Sequence, residues 1–113
     1  MGRSGIKIEG LEALADGLAK RIDRQDIRKA VSYHTAEMQL TAQMVVPVVT
    51  GTLKRSIKSQ LIDGGMTGEV EPHTDYAAYV EYGTRFQEAQ PYMQPAFMQQ
   101  SARFKADLEK MAR

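Results

Sequence analysis

The sequence predicts an α+β fold: N-terminal helices including one long helix, a small antiparallel sheet built on a β-hairpin, and a C-terminal helix. Three observations carry this. Apolar residues recur at helical spacing from Leu11 to Val45 and again from Phe97 to Met111. Between them, Leu53 to Glu71 reads as two strands around the turn signal Asp63-Gly64-Gly65. Pro47, Pro72 and Pro95 mark the joints. The 113 residues fit a single domain, with a helical part over about 9–46, a sheet and motif part over about 52–90 and a final helix over about 95–112.

Ile6-Lys7-Ile8 alternates and suits an edge strand. After Gly10, residues Leu11, Leu14, Leu18 and Ile22 fall on one helical face, with Ala15 beside them and Gly17 opposite. Asp26 is a suitable N-cap for the long helix, because its carboxylate can accept an amide of the next turn. That helix carries two apolar stripes. One runs Ile27, Val31, His34, Met38, Val45; the other runs Tyr33, Ala36, Leu40, Met44. Two stripes imply burial on both sides, within the domain or partly against another subunit. Pro47 ends the helix and pushes Val46 out of the helical region.

Thr50-Gly51-Thr52 reads as a loop. From Leu53 to Ile62 the pattern predicts a strand, with Leu53, Ile57 and Leu61 on one side and Lys54, Ser56, Lys58 and Gln60 on the other. Arg55 and Ser59 interrupt the apolar side. Met66 to Glu71 is the returning strand, placing Glu69 and Glu71 across from Lys54 and Lys58. Tyr76 to Tyr82 reads as a short helix capped by Asp75 or Thr74, with Gly83 as its left-handed end. Arg85 to Gln90 reads as a mobile polar loop. Pro95 suits the first turn of the last helix, whose seam is Phe97, Ser101, Phe104, Leu108 and Met111.

Composition limits the function classes. Fifteen basic residues balance fourteen acidic ones, for a formal charge of +1, so no strong pull toward nucleic acid or anionic membrane is expected. With no cysteine there is no disulfide and no thiolate metal site. Met1 to Gly5 lacks the apolar core of a signal peptide, and no apolar run approaches the ~20 residues needed to cross a bilayer. A soluble cytoplasmic protein is expected.

No constellation of residues points to catalysis. His34 and His73 lie in different elements and neither has a ligand partner at helical spacing, so each reads as an ordinary helix or loop residue. No serine sits in a glycine-flanked elbow, and Gly64 to Gly68 lacks the lysine of a phosphate loop. No catalytic residue, cofactor or metal is expected. The basic groups Lys54, Arg55, Lys58 and Lys20, Arg21, Arg24, Arg28, Lys29 leave a nucleic-acid-binding module as the alternative reading. Asp16, Asp23 and Asp26 lie among the second group, and no aromatic ladder accompanies either.

Tyr76, Tyr79, Tyr82 and Tyr92 place four of the five tyrosines within seventeen residues, a composition that suits a surface covered by a partner or a packed core. With Arg85 and Phe86 of the adjoining loop, and Asp63 and Gly64 of the hairpin tip, they form the candidate interface.

Three blocks in order resemble the HK97 gp10-like family of phage neck and tail-completion proteins. The first is Pro47, Thr50, Gly51, Leu53, Ser56, Ile57. The second is Tyr76, Ala77, Tyr79, Val80, Glu81, Gly83, Thr84. The third is Pro91, Tyr92, Met93, Pro95, Ala96. The resemblance spans about Asp26 to Arg113. It implies a non-enzymatic head–tail joining protein that forms a homo-oligomeric ring and docks on portal, neck or tail proteins. It also implies assembly in the host bacterial cytoplasm and residence in the virion, with neither a cofactor nor specific nucleic acid.

Overall fold

The computed structural model describes residues 5–10, 12, 22–47 and 51–112. The predicted helical face of Leu11, Leu14 and Leu18 lies outside them, as do Asp16, Lys20, Arg21 and Thr50. The described elements are β1 (Ile6–Glu9), α1 (Arg24–Val45), α2 (Gly51–Ser56), β2 (Lys58–Ile62), a 3-10 turn at Asp63–Gly65, β3 (Thr67–Glu71), α3 (Ala77–Tyr82) and α4 (Met93–Met111). The fold is α+β, as the sequence predicts.

The sheet is antiparallel in the order β1-β3-β2. Ile6-Lys7-Ile8 is an edge strand, with Ile6 opposite Val70 and Ile8 opposite Gly68. The hairpin pairs Lys58 with Glu71 and Gln60 with Glu69. Its turn holds Asp63, Gly64 and Gly65 all at positive φ (55°, 65° and 89°), a path that glycine follows without a Cβ penalty. One sheet face buries Ile8 and Val70 under the helices. The other carries the polar ladder, where Glu69 accepts from Gln60 at 2.8 Å and pairs with Lys7 at 3.6 Å. Lys54 takes no place in it, because it stands in α2 rather than in a strand.

The long helix begins earlier than expected. Asp23, not Asp26, is its N-cap: the backbone there is extended and the side chain accepts from Gln25 N at 2.9 Å. Asp26 sits in the first turn, where its charge favours the helix N-terminus. At the other end Val46 is extended (φ −57°, ψ 140°), as the following proline requires. The stripe Ile27, Val31, His34, Met38 faces inward and is completed by Ala42, whereas Val45 is exposed.

Residues 51–56 correct the predicted loop and strand. They form helix α2, and the strand begins only at Lys58. Leu53 and Ile57 are both fully buried. A four-residue spacing satisfies a helix as well as a strand, so period two did not discriminate here. Arg55 and Ser59, which broke the strand pattern, mark the difference. Gln39 and Gln43 of α1 donate to Ile57 O at 3.1 and 3.3 Å, closing the backbone between the two elements.

Helix α4 packs along α1 and touches β1. Its buried side is Met93, Ala96, Gln100, Phe104 and Leu108, with Phe97 and Met111 only partly covered. The seam is thus rotated from the predicted one, because a glutamine occupies its middle. Gln100 is 1% exposed and reaches His34 across the helix pair.

Candidate docking surfaces

Helix α3 follows directly from Tyr-Ala-x-Tyr-Val-Glu. Neither Asp75 nor Thr74 caps it; Tyr76 holds the N-cap position without a side-chain bond. The short helix buries Ala77 and Glu81 and leaves Tyr79 and Tyr82 in water. Gly83 has φ 77°, and its amide returns to Tyr79 O at 2.9 Å, so the chain turns out of the helix there.

A buried glutamate is the unexpected part. Glu81 is 3% exposed, and its carboxylate accepts three amides from the start of α4: Tyr92 N at 3.1 Å, Met93 N at 2.9 Å and Gln94 N at 3.0 Å. A helix leaves its first four amide positions without internal partners. Three of those here go to Glu81, and the fourth position is Pro95, which has no N–H. The negative charge also complements the positive end of the helix. Gln90 N donates to Val80 O at 2.8 Å, so the connection 83–91 leaves and returns to the same short helix.

Within that connection residues 84–87 form a hydrogen-bonded turn, while 88–91 have no regular structure, as expected of a loop. Thr84 N donates to Gln87 O at 2.9 Å, and Thr84 Oγ1 accepts from Phe86 N and Gln87 N, each at 3.1 Å. Phe86 stands 82% exposed at its tip, with the Arg85 guanidinium 5.0 Å from its ring centre. Tyr79, Tyr82, Arg85 and Phe86 therefore share one exposed region. Tyr76 is half-buried, and Tyr92 is fully buried and offers that region no side-chain surface. Burial, with the nearby Glu81 charge adding to it, raises the Tyr92 hydroxyl well above a tyrosine's ordinary value.

Asp63 and Gly64 belong to a different place. Arg28 Nε of α1 donates to Gly64 O at 2.9 Å, tying the hairpin tip to the first turns of the long helix. The tyrosine segment follows the opposite, open end of the hairpin, where His73 N donates to Ser56 Oγ at 3.1 Å. The candidate interface residues thus divide into two regions. A third exposed surface is the second stripe of α1: Tyr33, Ala36, Leu40 and Met44 all face water. The Tyr33 hydroxyl donates to Glu37 at 2.9 Å, and this bond to a carboxylate raises its pKa.

His34 lies between α1 and α4. Nδ1 accepts from Gln100 Nε2 at 2.6 Å, which leaves the proton on Nε2, donated to Asp107 Oδ2 at 2.9 Å. The rings of Tyr33 and Phe104 meet it edge-on. Among the described residues no three His, Cys, Asp or Glu side chains gather as a metal site, and no helix is long and apolar enough to cross a membrane. Of the basic residues, Arg28 is engaged with Gly64 and Gln25, and Lys58 stands opposite Glu71.

Residues 8–83, two-thirds of the chain, match the family described as "Bacteriophage HK97-gp10, putative tail-component". The chain belongs to the HK97-gp10-like family. No curated protein and no solved structure matches it. Membership is in keeping with a phage structural protein. The HK97-gp10-like match begins inside β1 and ends at Gly83, so it takes in the first motif block and the second as far as Gly83, leaving out Thr84 and the Pro91 to Ala96 block. Glu81 links that outlying block to the matched part. Its role was missed in the sequence, although one signal was present: α4 opens at Tyr92-Met93 with no Ser, Thr, Asp or Asn to cap it, so an acceptor had to come from elsewhere.

Proposed function

We propose that the chain is a virion assembly protein of the phage head–tail junction, a neck adaptor or tail-completion component. It acts by ring assembly and protein docking, with neither a catalytic step nor a cofactor. Membership of a tail-component family carries the reading. Large apolar side chains left in water support it, in the α1 stripe and in the Tyr79 to Phe86 region. A subunit in a head-to-tail ring presents a different face to each neighbour, and separate exposed regions supply such faces. Its partners are copies of itself and portal, neck or tail proteins. It assembles in the host cytoplasm and resides in the virion.

The test is absolute mass by light scattering over a concentration series, alone and with isolated portal-bearing heads or tails. A closed oligomer of defined mass is expected, formed freely or on the partner particle. A strict monomer that leaves both particles unbound at every concentration overturns the reading.

A further inference from the structure

We propose, building on the ring-assembly reading, that the Arg85–Phe86 turn of one copy seats in the groove between β1 and α4 of a second copy. The turn is a preformed knob. Thr84 fixes its backbone through four hydrogen bonds with Phe86 and Gln87, and Glu81 and Val80 anchor the segment that carries it. It holds a phenylalanine ring almost wholly in water, an unfavourable placement that a covering partner relieves. No carboxylate among the described residues pairs with Arg85, whose cation lies over that same ring.

The groove has the complementary features. It measures about 550 Å³ and its lining is mixed: Ile6 and Phe97, only partly covered, stand over the buried Ile8 and Leu108, and the exposed Glu9 and half-buried Ser101 border it. An aromatic side chain anchored in a cleft of the partner is a common energetic centre of a protein interface, and here Ile6 and Phe97 supply the apolar contact. Glu9 is exposed, and no cation among the described residues pairs with it, while the neighbouring Lys7 is engaged with Glu69. Lys105 lines the groove too. Seating the ring brings the Arg85 guanidinium to a rim where a carboxylate can receive it, and such a pair sets orientation. Knob and groove are different surfaces of one chain. The contact is therefore heterologous, the kind that propagates into a ring when its rotation closes.

The chain has no cysteine, so single cysteines report the contact directly. Phe86→Cys and Ser101→Cys proteins, mixed under mild oxidation, are expected to give a crossed disulfide dimer. Phe86→Cys with Met44→Cys, on the outer face of α1, is expected to give little. Phe86→Ser, a change at an exposed site, is expected to weaken self-association at least about tenfold. Arg85→Glu and Glu9→Arg are each expected to weaken it, and the double variant to restore it. Wild-type assembly with unchanged association of Phe86→Ser and no rescue by the charge swap overturns the knob-and-groove contact and leaves the ring reading standing. A wild-type chain that never self-associates, even on its partner particle, overturns both.

Discussion

The carboxylate of Glu81 accepts the amide of Met93 at 2.9 Å and, with the amides of Tyr92 and Gln94, closes the N-terminus of α4. A short helix thereby holds a long one by its end, and the exposed turn between them acquires fixed roots. Replacing Glu81 with Ala leaves three amides at a largely buried helix start without an acceptor. The expected loss is at least about 2 kcal/mol, roughly 10 °C in Tm for a domain of this size. Glu81→Gln, which keeps a carbonyl oxygen, is expected to lose less. Thermal melts decide it, and hydrogen exchange is expected to accelerate at Met93 and Gln94. An Ala variant melting within 2 °C of wild type, on the same scale, contradicts the capping role.

Tyr92 presents the opposite case, a buried hydroxyl with no hydrogen-bond partner among the described residues. Tyr92→Phe removes that group and keeps the ring. Its stability is expected to match wild type or exceed it by up to about 1 kcal/mol near neutral pH. Tyr92→Ala is expected to lose about 3–5 kcal/mol through the cavity it leaves. Urea denaturation of the two variants separates the ring's contribution from the hydroxyl's.

The same hydroxyl makes stability depend on alkali. Its folded pKa is raised above the ordinary 10.0, first by burial and then by the Glu81 charge. The native chain keeps a proton that the unfolded chain releases. The contribution is fully present below the ordinary value and declines as pH rises beyond it toward the raised folded value. Tyr92→Phe lacks this part of the decline. Midpoints compared at pH 8 and about pH 11 are expected to fall further for wild type than for the variant; equal falls refute the assignment.

Gly68 lets the sheet meet α1. A Cβ there would overlap Thr35 Oγ1 and lie 2.7 Å from Thr35 Cβ, and Thr35 is pinned by its bond to Val31 O. Gly68→Ala is expected to cost about 3 kcal/mol, at the upper end for overpacking. Adding Thr35→Ala is expected to recover part of the loss, since the two sites share one contact. Denaturation of the single and double variants gives the coupling, and strict additivity counts against direct contact.

His34 bridges the helix pair through partners of unequal burial. His34→Ala strands Gln100, which is fully covered, and is expected to cost about 2–4 kcal/mol. Asp107→Asn changes a side chain that is 40% exposed, and its loss is expected to stay under about 1 kcal/mol. Chemical denaturation ranks the two, and a reversed order overturns this account of the clasp.

The long helix, its end at Pro47, the hairpin around Asp63 to Gly65 and the edge strand at Ile6 to Ile8 were legible because each rests on local chemistry. Residues 51–56 were not legible as a helix. Leu53 and Ile57 fit two periods equally, and the choice rests on Gln39 and Gln43 reaching the backbone from α1. The cap of α1 moved three residues from Asp26 to Asp23, since either acid can cap and the first turn accepts the other. Of the candidate interface residues, sequence grouped Tyr92 with Tyr79 and Tyr82 by proximity, whereas folding turned it into the core.

Sequence alone determined the periods, the breakers and the family, because these depend on residues close along the chain or on ordered motifs. It also determined that the long helix has two apolar stripes. Tertiary structure decided which stripe is covered, where Glu81 finds its three donors and why a glutamine sits in the seam of α4. Those outcomes are set by groups far apart in sequence, Glu81 with Met93 and His34 with Gln100, whose hydrogen bonds form only when the helices meet.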